Sequence, residues 1–416
     1  MSSLMKWWNQ IEQYFKRNYL RFLERLFARQ VQIPQFINFS NVKSILVVRQ
    51  HDQLGDFLLA TPVLRALRKS FPDARIGVVV RSYVAEVLEH HPHVDEVLVV
   101  HEALSGWSPA GFWRFLRRWR SGWDLAIVLN TVSHSLTSDL IAYFSGARYI
   151  LGSEHKIFPG CRRNFFYNLL APYWDEPRHQ TERNLDIVRH IEVDTDDLRE
   201  EIRLTGRELE EARQQLQYYG LDTTRLVIGI HPGAGKIPNR WPVTRFVELA
   251  QELVRRFQAQ ILLFWGPNEE DLKEAFLLEA DFTPILIAPT RLRQLAAYFR
   301  QCHALVCNDT GVMHLAAAVQ VPLVAVFGPT DPEEWKPIGE NFIGIRGAGH
   351  RTETVSVQQV YEALCQLLGD RLPASLTEVA KPTDASSFDI SESKIETYVN
   401  ALQKKKGIAK NSGEIK

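Results

Sequence analysis

The segment "NDTGVMHLAAA", residues 308–318, places an acidic residue, a hydroxyl and a glycine directly before an apolar run. The flanking stretches "CHALVC" and "VPLVAVFGPTD" are typical of short buried strands, so the segment is predicted to be a turn that opens a helix. The free N–H groups of a first helical turn and the helix dipole bind anions such as phosphate. Gly311 would let a phosphate approach the backbone closely, and Thr310 would add a hydroxyl donor.

Asp309 needs a separate explanation, because its carboxylate would repel a phosphate. We expect it to cap the helix or to orient a neighbouring donor such as His314. An ordinary N-cap without any ligand is the alternative, and the Asp-Thr-Gly triplet taken alone favours that alternative.

A second loop, "HPGAGKIPNRWP" at residues 231–242, also follows an apolar strand-like stretch. Its small residues free backbone N–H groups, and its two cations, Lys236 and Arg240, could neutralise a diphosphate. The alternative is a basic surface loop. The residues of this loop predicted to contact an anionic ligand are His231, Gly233, Lys236, Arg240 and Trp241.

Two further loops carry carboxylates where a strand-like stretch ends. In "FWGPNEED", residues 264–271, Glu269 could accept hydrogen bonds from ribose hydroxyls, although helix capping explains it equally well. In "HDQLGDFLLATP", residues 51–62, Asp52 and Asp56 lie between a strand and a helix, with Gly55 directly before Asp56. A carboxylate there that faces a cleft could act as a general base, and an N-cap is again the alternative.

The elements that must hold these loops alternate between strand and helix, which predicts parallel sheets with helices on both faces. One predicted helix, "FLLATPVLRALRKSF", follows the first strand "SILVVRQ" after the loop "HDQLGD". Ligands of such sheets bind at the carboxyl ends of the strands, so the site should lie between two domains. The predicted segments are a helical extension (1–40), an N-terminal domain (41–205), a connecting helix (206–224), a C-terminal domain (225–369) and a polar, mostly disordered tail (370–416).

The first 30 residues place Trp, Phe, Tyr and Leu at helical spacing with Lys and Arg between them. This pattern predicts a basic amphipathic helix, which suits a membrane surface or packing on the protein itself. The arginines of "FWRFLRRWR" would also suit an anionic lipid.

Composition excludes several classes of protein. With 49 basic and 49 acidic residues, the chain of 416 residues lacks the basic excess of a nucleic-acid binder. Its four cysteines form no metal or disulfide motif, and no apolar stretch reaches the length of about 20 residues that spans a bilayer, so a cytoplasmic location is expected. A dehydrogenase is disfavoured because no Gly-x-Gly-x-x-Gly follows the first strand.

Three motifs in this order resemble glycosyltransferase family 9, the bacterial ADP-heptose:lipopolysaccharide heptosyltransferases. The motifs are "ILVVRQHDQLGDFLLATPVLRALRKSFP", "IGIHPGAGKIPNRWPVTRFVELA" and "CNDTGVMHLAAAVQVPLVAVFGPTDPEEW". The resemblance covers roughly residues 42–345 and leaves both ends of the chain outside it.

The resemblance implies a GT-B fold of two Rossmann-like, doubly wound domains facing a cleft, with the nucleotide-sugar held chiefly by the second domain. It implies direct displacement with inversion, Asp56 as the catalytic base, and Asp52 and Gly55 on the acceptor side. The implied donor is ADP-heptose and the implied acceptor is a lipid-linked saccharide such as the lipopolysaccharide core. No metal or cofactor is implied, because the Asp309-Thr310-Gly311 turn and His314 would stabilise the leaving diphosphate.

One position departs from the family's pattern. Members often carry Lys where this chain has Asn239, so we expect Lys236 or Arg240 to supply the charge. If neither does, the chain could be slow, could use another nucleotide-sugar, or could bind a nucleotide-sugar without catalysis. The transferase hypothesis also requires Gly311 and Asp56 to face a shared crevice. A lipid-carried acceptor would separately place the protein at the inner face of the cytoplasmic membrane.

Overall fold

The computed structural model describes residues 14, 17–50, 53–155 and 157–369. Within them, two six-stranded parallel sheets form. The first sheet contains β1 (Ser44–Val48), β2 (Arg75–Arg81), β3 (Glu96–Val100), β4 (Leu125–Val128), β5 (Tyr149–Ser153) and β6 (Leu169–Ala171). The second contains β7 (Val227–His231), β8 (Gln260–Phe264), β9 (Ile285–Ile287), β10 (Ala304–Asn308), β11 (Leu323–Phe327) and β12 (Phe342–Arg346).

Helices precede, follow and connect these strands. The helices up to the end of the first sheet's segment are α1 (residues 17–27), α2 (Leu54–Leu58), α3 (Thr61–Ser70), α4 (Ser82–Ala85), α5 (Pro109–Trp119), α6 (Leu136–Phe144) and α7 (Gln180–Arg189). The later helices are α8 (Gly206–Tyr218), α9 (Val243–Phe257), α10 (Glu270–Glu279), α11 (Leu292–Phe299), α12 (Gly311–Ala318), α13 (Pro332–Trp335) and α14 (Val357–Leu368).

Strand β1 shows why helices cover both faces of the first sheet. Its side chains alternate, so Ile45 packs in one apolar cluster with residues of α2 and α3. Leu46 packs in a second cluster with Leu23 of α1 and Ala142 of α6. A strand buried on both faces reads as the continuous apolar run "SILVV", which is why the sequence pattern predicts it well.

The strand order of each sheet reverses at one point. The first sheet runs β3-β2-β1-β4-β5-β6 and the second runs β12-β11-β10-β7-β8-β9. The order reverses between β1 and β4 and between β7 and β10, where doubly wound sheets bind ligands. His231 of β7 pairs with Cys307 of β10, so the loops that follow these two strands begin at the same level.

The structure differs from the sequence-based prediction in two respects. The single helix predicted after β1 is two helices, α2 and α3, with Pro62 in the first turn of α3. Proline lacks the N–H that a continuous helix would need there and is well suited to a first turn. Strands β5, β6 and β12 were not predicted, and β6 has only three residues, too few to show a periodic pattern.

The described part of the N-terminal extension packs on the first sheet's domain. Leu20 and Leu23 are buried, and the ring of Phe27 lies 5.3 Å from that of Tyr143. Self-packing, one of the two expected uses of this helix, therefore holds for residues 17–27. Most of the remaining extension and the whole of the predicted tail, 370–416, lie outside the described residues, and the predicted domain boundaries stay a prediction.

Candidate active site

The first turns of α2 and α12 meet through two glycines, one from each sheet's domain. A Cβ added to Gly55 would lie 2.7 Å from Cδ2 of His314 and 3.5 Å from the Cα of Gly311. A Cβ added to Gly311 would lie 3.3 Å from the Cβ of Leu54. Asp56 therefore lies in a helix that contacts the start of α12, as a shared crevice requires. The close helix packing is a role for Gly311 that the sequence analysis did not predict.

Asp56 is the third residue of α2, which follows β1. Its carboxylate takes part in a capping box, in which the backbone N–H of Gln53 donates to Oδ2 at 3.4 Å. This is a long hydrogen bond. Capping, the alternative explanation of Asp56, is thus present, and it is compatible with a second role as a proton acceptor. Asp52 lies outside the described residues.

Asp309 is held by two side chains from neighbouring loops and does not cap α12. Asn239 donates from Nδ2 to Oδ2 of Asp309 at 2.9 Å, and the hydroxyl of Thr330 donates to the same oxygen. Thr310 occupies the N-cap position of α12, and its side chain makes no cap hydrogen bond. The first turn of α12 is therefore not capped by its own N-cap side chain. Thr330 was not predicted, although it follows β11, the strand beside β10.

Asn308, at the end of β10, ties the loop after β7 in place. Its Oδ1 accepts from the backbone N–H of Trp241 at 2.9 Å, and its Nδ2 donates to the carbonyl of Pro232 at 2.8 Å. The Trp241 indole is 1% exposed and donates to the carbonyl of Val355, so in this conformation it packs the domain. Lys236, in contrast, is exposed in the same loop.

Glu269 contacts residues of both loops that follow β7 and β8. Its Oε2 accepts from the backbone N–H of Gly266 at 2.7 Å and lies 3.6 Å from Nε2 of His231. Its Oε1 lies 3.8 Å from the Arg240 guanidinium. A Cβ on Gly233 would lie 2.0 Å from the carboxylate, so a larger residue there would displace the Glu269 side chain. Glu269 occupies the N-cap position of α10 without a cap hydrogen bond, so capping does not explain it.

The two histidines of the site differ in their electrostatic surroundings. Burial is the largest influence on His231 and lowers its pKa, which keeps the ring neutral near neutral pH. Burial also lowers the pKa of His314 by itself, but neighbouring carboxylates outweigh it and raise that pKa above its ordinary value. These carboxylates, in decreasing order of effect, belong to Glu200, Asp309 and Asp56.

Glu200 was not predicted as a site residue. Its Oε1 lies 2.8 Å from Nδ1 of His314, and its side chain is 1% exposed. It stands in "DLREEIRL", a charged stretch in which nothing distinguishes it from the adjacent acidic residues.

The described residues contain no group of three or more His, Cys, Asp or Glu side chains placed to hold a metal ion. Metal independence of the reaction stays a prediction.

The loops that follow β7, β8 and β10 and the C-terminal sheet fall within a sequence-family match. Residues 112–364 match the profile described as "Glycosyltransferase family 9 (heptosyltransferase)". The chain belongs to glycosyltransferase family 9. The match begins after Asp56 and does not include the part of the site on α2.

Individual members of family 9 cover most of the chain. Lipopolysaccharide heptosyltransferase 2 of Salmonella typhimurium is 27% identical over 314 residues, which are 70% of this chain and 85% of that protein. The family 9 glycosyltransferase of Veillonella parvula is 25% identical with a TM-score of 0.69, covering 79% of this chain and 97% of that one. E. coli ADP-heptose lipopolysaccharide heptosyltransferase II is 25% identical with a TM-score of 0.65, covering 79% and 99%. These likenesses confirm the GT-B fold and the predicted family.

Among the described residues, no helix combines the length and the apolar character that crossing a bilayer demands.

Proposed function

We propose that this family 9 glycosyltransferase moves a heptose from ADP-heptose to a lipopolysaccharide-core or related glycolipid acceptor, by direct displacement with inversion. The observation that carries the proposal is the contact between α2, which bears Asp56, and the first turn of α12. The donor and the acceptor are those named for the E. coli heptosyltransferase II, which this chain resembles over 79% of its length.

In the proposed reaction, the Asp56 carboxylate takes the proton of an acceptor hydroxyl. The hydroxyl oxygen attacks the anomeric carbon from the face opposite the diphosphate, and the bond from that carbon to the diphosphate oxygen breaks. The bonding electrons leave with ADP. The first-turn N–H groups of α12 and the imidazolium of His314 stabilise this growing negative charge, because they are in place before the reaction begins.

The proposed reaction needs no metal ion, since Lys236, Arg240 and His314 would supply positive charge to the diphosphate. Arg240 is oriented by a hydrogen bond from Nε to the carbonyl of Ala234 at 2.9 Å. Lys236 is exposed and can reach a ligand from the loop surface. A metal-chelating agent should therefore leave the rate of transfer unchanged, and a rate that depends on an added divalent cation would contradict this part of the proposal.

Purified protein incubated with ADP-heptose and a lipid-linked core saccharide should release ADP at a rate that depends on both substrates. The coupling constant of the anomeric proton in the product should show the configuration opposite to that of the donor. Retained configuration would exclude direct displacement. Release of the nucleoside diphosphate from another nucleotide-sugar but not from ADP-heptose would overturn the proposed donor while leaving the transferase in place.

A second candidate function is nucleotide-sugar binding without transfer. The neutral Asn239 favours it, because an amide gives the diphosphate less stabilisation than an ammonium group. A panel of nucleotide-sugars tested by thermal shift separates the two functions. A ligand that raises the melting temperature but is not consumed with any acceptor would support binding alone.

We further propose that the protein contacts the inner face of the cytoplasmic membrane, where a lipid-carried acceptor would lie. On α1, Phe22 is 56% exposed, and on α5, Trp113 is 71% exposed and adjoins Arg114. Helix α6 contacts α1 through its own Tyr143 ring, and it contacts α5 through its own Ile141 carbonyl. Exposed aromatic residues with arginines nearby suit an anionic bilayer surface.

Vesicle co-sedimentation tests this contact. Binding to vesicles of phosphatidylcholine with phosphatidylglycerol should exceed binding to phosphatidylcholine alone. Phe22→Glu and Trp113→Glu should each weaken it, whereas Tyr218→Glu, on α8, should not, although Tyr218 is also exposed. Equal binding by all variants would remove the proposed membrane surface.

A further inference from the structure

The segment that links the two sheets carries a buried carboxylate, Glu200, to the first turn of α12. Glu200 lies between Arg199, whose carbonyl accepts from the Arg65 guanidinium at 3.0 Å, and Glu201, whose backbone N–H donates to Oγ1 of Thr61 at 3.2 Å. These contacts fix the segment to α3. Two residues later, the N–H of Ile202 donates to the carbonyl of Ala318, the last residue of α12, at 3.1 Å. Glu200 is therefore held from both domains.

The Glu200 carboxylate is directed at one partner. Its Oε1 lies 2.8 Å from Nδ1 of His314. Its Oε2 is buried and has no hydrogen-bond partner among the described residues. Because no second donor compensates the carboxylate, the imidazole is the group that stabilises its charge. A buried carboxylate beside a histidine favours the doubly protonated ring.

The hydrogen bond at Nδ1 also fixes the direction of the opposite ring edge. Cδ2 and Nε2 of His314 face Gly55, at 2.7 Å and 3.3 Å from the position of an added Cβ. A histidine whose Nδ1 is bound to a carboxylate has a defined tautomer and orientation when it acts through Nε2. The Nε2–H is thus presented at the contact between α2 and α12, where the proposed leaving group would separate.

We propose that Glu200 is a positioning residue, which holds His314 as an imidazolium with Nε2–H facing the crevice, so that this ring supplies the diphosphate with positive charge that Asn239 does not. The inference rests on the proposed transferase function. It assigns a role to a residue of the linking segment, outside every loop that the sequence motifs mark.

The titration of His314 tests the inference without any transfer reaction. The groups that face His314 are Glu200 from the linking segment, Asp309 from the end of β10, Asp56 from α2, and His179 at the start of α7. In Glu200→Gln, the carboxylates of Asp309 and Asp56 and the burial of the ring remain. The pKa of His314, followed by NMR of the labelled protein, should then fall by about one unit or more, a tenfold change in protonation.

ADP binding provides a second readout. Below the lowered pKa of His314, Glu200→Gln and the unchanged protein should bind ADP with equal affinity, and above it the variant should bind about tenfold more weakly. The unchanged protein should keep its affinity to higher pH. Glu200→Asp should recover part of the pH range, because a shorter carboxylate retains the charge.

Glu201→Gln is the matched control. Its carboxylate binds the Arg65 guanidinium at 2.9 Å in the same segment, so its loss should lower stability without moving the titration of His314. If Glu200→Gln is too unstable to purify, His314→Gln and the double variant serve instead, and the double variant should bind ADP no more weakly than His314→Gln alone. An unchanged His314 titration in Glu200→Gln, or additive losses in the double variant, would overturn the inference. Absence of transfer with a shifted titration would instead count against the proposed function alone.

Discussion

Helix α2 follows the first strand of its sheet and α12 follows the fourth strand of the other, and the two helices differ at their first turns. Each follows a strand beside the point where its sheet's strand order reverses, and each has a glycine where it meets the other. The first turn of α2 is capped by side chains of its own segment, because Gln53 and Asp56 form a capping box. The N-cap of α12, Thr310, makes no such bond. The proposed proton acceptor and the proposed anion site therefore lie at two helix starts that differ in their capping.

An acidic residue, Asp309, also lies near the start of α12, but side chains of neighbouring loops bind its carboxylate. The Asp309 carboxylate accepts hydrogen bonds from Asn239 and Thr330. Asp56, in contrast, belongs to the helix itself. The Asp309 carboxylate is thus restrained by two neutral donors of other loops, whereas Asp56 is bound by the backbone N–H of Gln53 at its own helix start.

Removing the proposed base should have the largest effect. Asp56→Asn keeps the size of the side chain and can still contact the N–H of Gln53 through its amide oxygen, but it cannot accept a proton. We expect kcat to fall by about 10²–10⁴-fold with little change in ADP affinity. Steady-state kinetics and calorimetric titration with ADP measure the two effects. A variant with normal kcat would show that Asp56 acts only as a helix cap.

Adding a methyl group to the glycine contact should have the next largest effect, and the two glycines should differ. The Cβ of Gly55→Ala would lie 2.7 Å from the buried His314 ring, which Glu200 restrains. We expect loss of about 1–3 kcal/mol of unfolding free energy and roughly tenfold lower kcat/KM, since the helices must separate. Gly311→Ala, 3.3 Å from the Cβ of Leu54, should be milder. Thermal unfolding and kinetics of the pair check this order, and the opposite order would contradict the close packing described for Gly55.

The residues that sequence reasoning found and missed divide according to where their partners lie. Asp309 follows its apolar strand directly, and Gly233 and Asp56 lie a few residues beyond theirs, so the local pattern marks all three. Glu200 is 114 residues from His314, and Thr330 is 21 residues from Asp309, so only the folded chain brings each pair together. The parallel-sheet architecture was predictable for the same reason as the loops, because buried strands are apolar throughout. The division of the predicted helix at Pro62 had a local signal, which the prediction passed over.

The cations of the loop after β7 are proposed to bind the donor, and their removal tests that proposal. We expect Lys236→Ala and Arg240→Ala each to weaken ADP binding by about threefold to tenfold, because solvent screens an exposed cation more than a buried one. The effect should diminish at high salt for Lys236 in particular, since that side chain is exposed. Calorimetric titrations at two salt concentrations measure this. Arg207→Ala, an exposed cation on α8 paired with Glu211, is the control for net charge. Unchanged affinity in both loop variants would remove the loop from the donor site.

The smallest effect is expected for the two side chains that donate hydrogen bonds to Asp309. Thr330→Val and Asn239→Ala each remove one donor to the Asp309 carboxylate. Without that donor the carboxylate is freer to rotate toward the first turn of α12, where it would compete with a diphosphate for the same N–H groups. We expect ADP affinity to fall about threefold in either variant, with binding of uncharged ribose-containing fragments unchanged. A variant in which Asp309 is also replaced by Asn should regain the lost affinity, because a neutral amide does not repel the ligand. If that second substitution weakens binding further, Asp309 contacts the donor directly, and the contrast between the two helix starts would have to be drawn differently.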